Sequence, residues 1–266
     1  MSDADREGNA QEKGCRRFEG MTALVSAAGR GIGAATAKRI HDEGGTVVVT
    51  DRTREAAEDV VSALGGADRT LHAAKLDVIS PRDWDDAVET VLAFTGRLDV
   101  LHHNAGRNDY LSLDAMTDTF WRDQLALNLD SAMFGIRACL PSLAASGNGA
   151  IVLTSSVHAV QGYAGFPAYA AAKAGLIGLA RQLAVDYAPT VRVNVVIPGV
   201  VETDAWSTMD AAERELWTRS NPARRITQPE DIAAAVAFLA SPDAAAITGQ
   251  SLVVDSGGTI FGRSGL

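Results

Sequence analysis

The stretch that decides the fold is Leu24-Val25-Ser26-Ala27-Ala28-Gly29-Arg30-Gly31-Ile32-Gly33. A short apolar run from Thr22 to Val25 ends in this glycine-rich turn. Gly31 to Glu43 then carries Ile32, Ala35, Thr36, Arg39 and Ile40 as a helical stripe, and Thr46 to Thr50 is a β-branched run ending at Asp51, 18 residues past Gly33. Strand, turn, helix and strand in that order start a βαβ unit. Glycines let the backbone approach a pyrophosphate, and the N–H groups of a helix start face the anion. A lone glycine pattern says little, but in this context dinucleotide binding by Ala28, Gly29, Arg30, Gly31, Ile32 and Gly33 is the reading, against a bare β-α turn.

Working outward, strands and helices keep alternating. A helix is expected from about Thr53 to Leu64, a strand over Leu71 to Leu76, a helix over Pro81 to Phe94 and a strand over Leu98 to His102. A long helical region follows from about Asp118 to Ala145, then a strand over Ala150 to Thr154, an Ala-rich helix from Pro167 to Tyr187 and a strand over Val191 to Ile197. Pro229 to Leu239 reads as a helix and Ser251 to Val254 as the last strand. Continuous Val/Ile/Leu strands imply burial on both faces, as in a parallel sheet. The expectation is a Rossmann-like α/β fold, a doubly wound parallel sheet in one domain over 19–266, after a flexible leader at 1–18. Residues 202–226, charged and carrying Trp206 and Trp217, interrupt the pattern and are a candidate substrate lid.

Composition narrows the partners. The 266 residues are 47% apolar, with a net charge of −9 and a pI near 5.0. Such an acidic chain does not suit nucleic acid or an anionic membrane surface. Cys15 and Cys139 sit in no ligand or disulfide spacing, and the five His are scattered, so no metal is expected and the setting reads as cytoplasmic. The run from Ala138 to Ala172 lacks Asp, Glu, Lys and Arg, but Pro141, Gly147, Gly149, Gly162, Gly165 and Pro167 break it. It falls short of the ~18–20 uninterrupted apolar residues of a membrane span and reads as interior.

A carboxylate at Asp51 accepts from a ribose 2′-OH and repels a 2′-phosphate, which favours NAD over NADP. Arg30 and Arg52 argue the other way, since guanidinium groups bind phosphate. Asp77-Val78 after the third strand could flank an adenine or form a turn. The small residues of Asn104-Ala105-Gly106 let a flat ring or ribose lie against the backbone.

Tyr169 and Lys173, four apart, share one helical face, and Lys173 ends the long uncharged run. A phenol of pKa ~10 is a poor base at neutral pH. A cation at ~5 Å in an effective dielectric of ~20 stabilises the phenolate by ~3 kcal/mol, about two pKa units. Ser156, at the end of the fifth strand, could hold the same substrate oxygen, and Asn128 could anchor a water in a proton path. Taken singly, each has an ordinary reading; the combination points to acid/base chemistry on an alcohol or carbonyl.

These residues together resemble a short-chain dehydrogenase/reductase of the ~250-residue branch. The likeness runs from about Gly20 to Gly258 and includes Asn194, Pro198-Gly199, Thr203, Ile247-Thr248-Gly249-Gln250 and Val254-Asp255-Ser256-Gly257-Gly258. It implies a catalytic tetrad of Asn128, Ser156, Tyr169 and Lys173. Tyr169 would be the acid/base and Ser156 would orient the substrate oxygen, while Lys173 would lower the Tyr169 pKa and hold the nicotinamide ribose. Pro198, Gly199, Val201 and Thr203 would hold the carboxamide, and a homotetramer is the implied assembly. The departures are Ala27 for the first glycine of the turn, Ser26 for Thr, His103 for Asn and Ser256 for Gly. If the Ala27 site needs a positive φ, Ala costs ~1 kcal/mol or more.

Candidates to meet the substrate are Arg107, Asn108, His158, Gln161, Tyr163, Trp206 and Met209. The expectation is an NAD-dependent oxidoreductase acting on a small secondary alcohol or ketone. The alternatives are an NADPH-dependent carbonyl or 3-oxoacyl reductase and, from another class, a catalytically silent NAD-sensing binding protein.

Overall fold

Val/Ile-rich strands buried on both faces need helices above and below them. The computed structural model, which describes residues 16–203 and 210–261, has that arrangement. The strands are β1 (Thr22–Val25), β2 (Thr46–Asp51), β3 (Leu71–Lys75), β4 (Val100–His103), β5 (Gly149–Thr154), β6 (Val191–Pro198) and β7 (Ser251–Val254). The helices are α1 (Gly31–Asp42), α2 (Arg54–Ala63), α3 (Pro81–Thr95), α4 (Asp118–Leu125), α5 (Ser131–Ala145), α6 (Pro167–Tyr187), α7 (Ala211–Ser220) and α8 (Pro229–Ala240). One parallel sheet runs β3-β2-β1-β4-β5-β6-β7. Leu24, Val48, Leu101 and Leu153 face one core with Trp84, Leu143 and Leu176. Val25, Val47, Val49 and Val152 face the other with Ile40, Ile232 and Val236. The strand order reverses between β1 and β4, and ligands of open α/β sheets bind at that switch, beyond the strands' C-terminal ends.

The expected doubly wound order is present, with element bounds shifted by a residue or two. Two differences have physical causes. The region from Asp118 to Ala145 is not one regular helix: a five-residue π-helical turn, Ala126–Asp130, joins α4 to α5. The fold also begins before residue 19, because Phe18 is fully buried. Beside it, Arg17 pairs with the buried Glu43 at 2.6 Å. In the charged run Arg16-Arg17-Phe18-Glu19 the aromatic reads as part of a polar tail, yet it belongs to the core shared by α1 and α8. In the stretch 202–226, α7 starts with a capping box between Asp210 and Glu213. Arg214 of α7 pairs with Glu202, which also accepts from Gln228 at 2.8 Å. Trp206 and Met209 lie outside the described residues.

Candidate active site

The glycine turn opens on the switch point. Gly29 N–H donates to Asp51 Oδ2 at 3.0 Å, tying the turn to the end of β2. A Cβ on Gly29 would stand 2.8 Å from both Asp51 Oδ2 and Ala56 Cβ, and one on Gly33 would stand 2.4 Å from the Ala27 carbonyl. Gly31 has φ +56° and Ala27 φ +49°, so the departure at Ala27 does place an L-residue in the left-handed region. Arg30, at the N-cap of α1, makes no side-chain cap, and the first turn carries no acid. Among the described residues those N–H groups have no side-chain acceptor, and Gly29 and Gly33 leave no room for a Cβ, so the turn stays tight at the helix start, which fits a pyrophosphate. Ala28 and Gly33 are buried beneath the turn and support it.

From the turn a groove of about 1130 Å³ runs along the strand ends. Gly29, Arg30, Gly31, Ile32, Asp51, Arg52, Asp77 and Val78 line one part. Asn104, Ala105, Gly106, Arg107, Ser156, Tyr169, Lys173, Pro198, Gly199, Val201 and Thr203 line the rest. Asp77 does form a turn, accepting Ile79 N–H at 3.3 Å, and it also lines the groove. Sequence reasoning missed Ala56, Ile79, Asp123, Leu127 and Thr154 on the wall. Thr154 is the important omission: its carbonyl accepts from Lys173 Nζ at 2.9 Å, and its hydroxyl meets His102 Nε2 at 2.9 Å. A hydroxyl two residues before Ser156 at the same strand end is the signal that could have found it.

Tyr169 stands in the first turns of α6, with Ser156 near enough to its phenol to favour the phenolate. Lys173 Nζ lies 5.7 Å from the centre of the Tyr169 ring. Ser155 Oγ donates to the Lys173 carbonyl at 2.8 Å, locking that turn of α6 to β5. Burial pushes the Lys173 ammonium down to about 7. Burial also raises the Tyr169 phenol, with Ser156 opposing it. The Lys173 ammonium is itself desolvated beneath the ring, so in the protein alone burial of the phenol outweighs the lowering expected from the lysine. A Cβ on Gly106 would stand 2.7 Å from Lys173 Nζ, so no larger residue fits there without moving the lysine.

Asn128 is fully buried in the π-helical turn and does not line the groove. Its Oδ1 accepts Arg107 N–H at 2.9 Å, and its Nδ2 donates to the Gln124 and Arg107 carbonyls at 3.0 and 3.1 Å. The side chain is thus occupied with the backbone after Gly106, a positioning arrangement. π-turns interrupt regular helix hydrogen bonding and are common at functional sites.

Among the substrate candidates, Arg107 reaches the groove wall, with Nε on Asp109 Oδ2 at 2.7 Å. His158, Gln161 and Tyr163 follow Ser156 in the chain and stand outside the groove lining. The His158 ring stacks on Tyr163 at 4.4 Å and meets the Tyr169 ring edge-on at 5.2 Å. Phe166, which is not among the sequence candidates, meets His158 edge-on at 4.9 Å. Burial lowers the His158 pKa and favours the neutral imidazole. Gln161 is exposed and accepts from Tyr163 OH at 3.4 Å. Among the described residues no group of three or more His, Cys, Asp or Glu is placed to hold a metal, and no helix is long and apolar enough to cross a membrane.

The family model described as enoyl-(acyl carrier protein) reductase matches residues 26–259. The chain is 34% identical over 241 residues to cyclohexanol dehydrogenase of Acinetobacter sp. (strain SE19), covering 90% of this chain and 95% of that protein. It is 37% identical over 241 residues to 3-oxoacyl-[acyl-carrier-protein] reductase FabG of Escherichia coli (strain K12), covering 90% of this chain and 98% of the relative. The crystal structure of a short-chain dehydrogenase/reductase, glucose/ribitol dehydrogenase from Brucella melitensis, superposes with a TM-score of 0.86 at 30% identity, covering 93% of this chain and 99% of that one. Likeness that extends through the whole sheet and takes in both ends of the groove is more than a shared motif: the chain belongs to the short-chain dehydrogenase/reductase family of oxidoreductases.

Proposed function

We propose that this chain is an NAD-dependent oxidoreductase that interconverts a secondary alcohol and a ketone, with Tyr169 as the acid/base. The observation that carries the reading is Tyr169, beside Ser156 and underlain by Lys173, on the same groove as the glycine turn and Asp51. Gly29, Arg30, Gly31 and Ile32 would hold the pyrophosphate, Asp51 the adenosine ribose, and Asp77 and Val78 the adenine. Tyr169 and Lys173 would hold the nicotinamide ribose, with Pro198, Gly199, Val201 and Thr203 at the carboxamide. The bound nicotinamide supplies the hydride acceptor in oxidation and the donor in reduction. Ser156 holds the substrate oxygen, and Tyr169 takes its proton in oxidation and returns it in reduction. Lys173 holds positive charge beneath the phenol, and Asn128 positions the Gly106–Arg107 backbone. Residues 202–226 would act as a lid over the substrate.

A second reading, an NADPH-dependent carbonyl or 3-oxoacyl reductase, is supported by the FabG relative and by Arg30 and Arg52 on the groove beside Asp51. A cytoplasmic homotetramer is the proposed setting. The free, buried Cys139 suits a reducing compartment, and exposed Leu252 and Val253 on the edge strand β7 offer apolar surface to a second copy. One experiment tests the reading. A panel of sugars, polyols, steroids, acyl thioesters and cyclic alcohols is assayed with NAD and with NADP. Tyr169→Phe should abolish turnover and leave NAD binding intact. Full activity in that variant refutes the acid/base role, and tight NAD binding with no turnover on any substrate returns the chain to a silent binding protein.

A further inference from the structure

Gln124 is a polar residue in α4, one turn before Asn128, and only 2% of it is exposed. Both ends of its carboxamide are engaged. Nε2 donates to Asp109 Oδ2 at 2.7 Å, and Oε1 accepts from Asn128 Nδ2 at 3.3 Å. Asn128 then turns Oδ1 to the Arg107 N–H at 2.9 Å. Asp109 is gripped from its other side by Arg107 Nε, at 2.9 and 2.7 Å to its two oxygens.

The order of these groups matters. A carboxylate only accepts, whereas an amide side chain donates at one end and accepts at the other. Asp109 therefore obliges Gln124 to present its NH₂ outward and its carbonyl inward. That carbonyl stands on the NH₂ side of Asn128 together with the Gln124 and Arg107 backbone carbonyls, at 3.0 and 3.1 Å, and the three acceptors leave Oδ1 to the Arg107 N–H. A Cβ on Gly106 would lie 2.9 Å from Asn128 Oδ1 and 2.7 Å from Lys173 Nζ, so the oxygen end of Asn128 and the ammonium border one small space. The reverse orientation sets N–H groups against the Arg107 N–H and beside the lysine, leaving buried donors unsatisfied.

We propose that Asp109 and Gln124 are positioning residues that reinforce, through this relay of amides, the orientation of the Asn128 carboxamide against the Arg107 backbone and Lys173. The effect on turnover rests on the oxidoreductase reading above; the polarity of the relay does not.

The test uses Asp109→Asn and the double variant Asp109→Asn/Gln124→Glu in the full chain. The amide introduced by the first substitution donates as well as accepts, so it no longer dictates the polarity. The second substitution restores an acceptor-only group one place further in. The new amide at position 109 can donate to it, and the net charge is that of wild type. Two quantities are read: steady-state kinetics with a secondary alcohol that wild type oxidises, and hydrogen exchange of the Arg107 amide. Asp109→Asn should lower kcat about tenfold, leave KM and the NAD Kd within about twofold, and speed Arg107 exchange about tenfold. The double variant should bring both quantities back to within about threefold of wild type. A role confined to packing gives no such rescue. The relay is refuted if Asp109→Asn keeps its kcat and its Arg107 protection, or if the double variant stays as impaired as the single one. If no alcohol is turned over, the oxidoreductase reading fails, and Arg107 exchange alone still decides the relay.

Discussion

Lys173 buries its ammonium against the Thr154 carbonyl, with Nζ 2.9 Å from the oxygen. Its only other hydrogen bond among the described residues runs to the Ala105 carbonyl, at 3.5 Å. A cation held by carbonyl dipoles keeps little of the stabilisation that a carboxylate would give, and an ammonium at this depth costs the fold stability. In the proposed reaction that positive charge would serve beneath Tyr169.

That cost has a sign in pH. Burial depresses the folded Lys173 pKa to about 7, from an ordinary value of 10.5. Between those two values the unfolded chain carries a proton that the folded chain does not, so stability from this group rises with pH through the window and is lost as pH falls toward 7. Lys173→Met should therefore raise the melting temperature of the cofactor-free protein by several degrees near pH 6 and far less near about pH 10, while abolishing turnover. Thermal melts across that range check it; a uniform shift at every pH, or none, goes against the account.

The two histidines that end β4 set the acid limit. Burial pushes both His102 and His103 down to about 3. His102 Nε2 meets Thr154 Oγ1 at 2.9 Å, and His103 Nε2 meets Ser131 Oγ at 3.1 Å. Ser131 gives its own proton to the Leu127 carbonyl at 2.6 Å, so His103 must donate through Nε2 and is neutral at Nδ1. A depressed histidine contributes stability that is complete above the unfolded value near 6.5 and is lost as pH falls toward 3. In the middle of that window the pair should steepen the loss by about 2.7 kcal/mol per pH unit, at about 1.36 for each group. His103→Asn should halve this steepness, as denaturant titrations at a series of pH values would reveal.

Much of this architecture is legible in the amino-acid sequence alone. The central strands β1, β5 and β6 announce themselves because a parallel sheet covered on both faces favours near-continuous apolar runs. Lys173 stands out because it ends a long run without charge, and Asp51 because a carboxylate closes a β-branched strand. What stays hidden depends on depth and direction. The π-helical turn around Asn128 is a shift of hydrogen-bond register that composition does not encode. Gln124, in the charged run Trp121-Arg122-Asp123-Gln124, reads as solvated surface and turns out to be buried. The partners of Tyr169 can be named from spacing, but its pKa direction cannot, because that depends on how far the phenol is desolvated.

The two positive-φ departures from the family pattern should respond differently to glycine. Ala27 has φ +49° and Ser256 has φ +56°. Glycine relieves the left-handed strain at either position, by about 1 kcal/mol before its own unfolded-state entropy is subtracted. Ser256 also shares a hydrogen bond with Thr227 Oγ1 at 2.9 Å, which glycine would remove. Ala27→Gly should raise the melting temperature by about 1–3 °C, and Ser256→Gly should leave it unchanged or lower it. Equal gains at both positions would mean that the hydroxyl pair contributes nothing.

In the proposed function cofactor choice would turn on Asp51, whose two oxygens are already engaged by backbone: Oδ2 accepts Gly29 N–H at 3.0 Å and Oδ1 accepts Arg52 N–H at 2.8 Å. The carboxylate is thus held in place on the groove, which the exposed Arg30 and Arg52 also line. Removing it with Asp51→Ala eliminates the repulsion of a 2′-phosphate and leaves both guanidinium groups to attract one. The ratio of kcat/KM for NAD over NADP should fall by about a hundredfold or more, through weaker NAD and stronger NADP binding together. Gly29→Ala acts at the same point by another route. Its Cβ would stand 2.8 Å from Asp51 Oδ2 and from Ala56 Cβ, so the carboxylate must shift, and NAD binding should weaken without any gain for NADP. Titrating each cofactor into both variants separates charge from shape. If Asp51→Ala binds NADP no better than wild type does, the carboxylate is not what selects the cofactor.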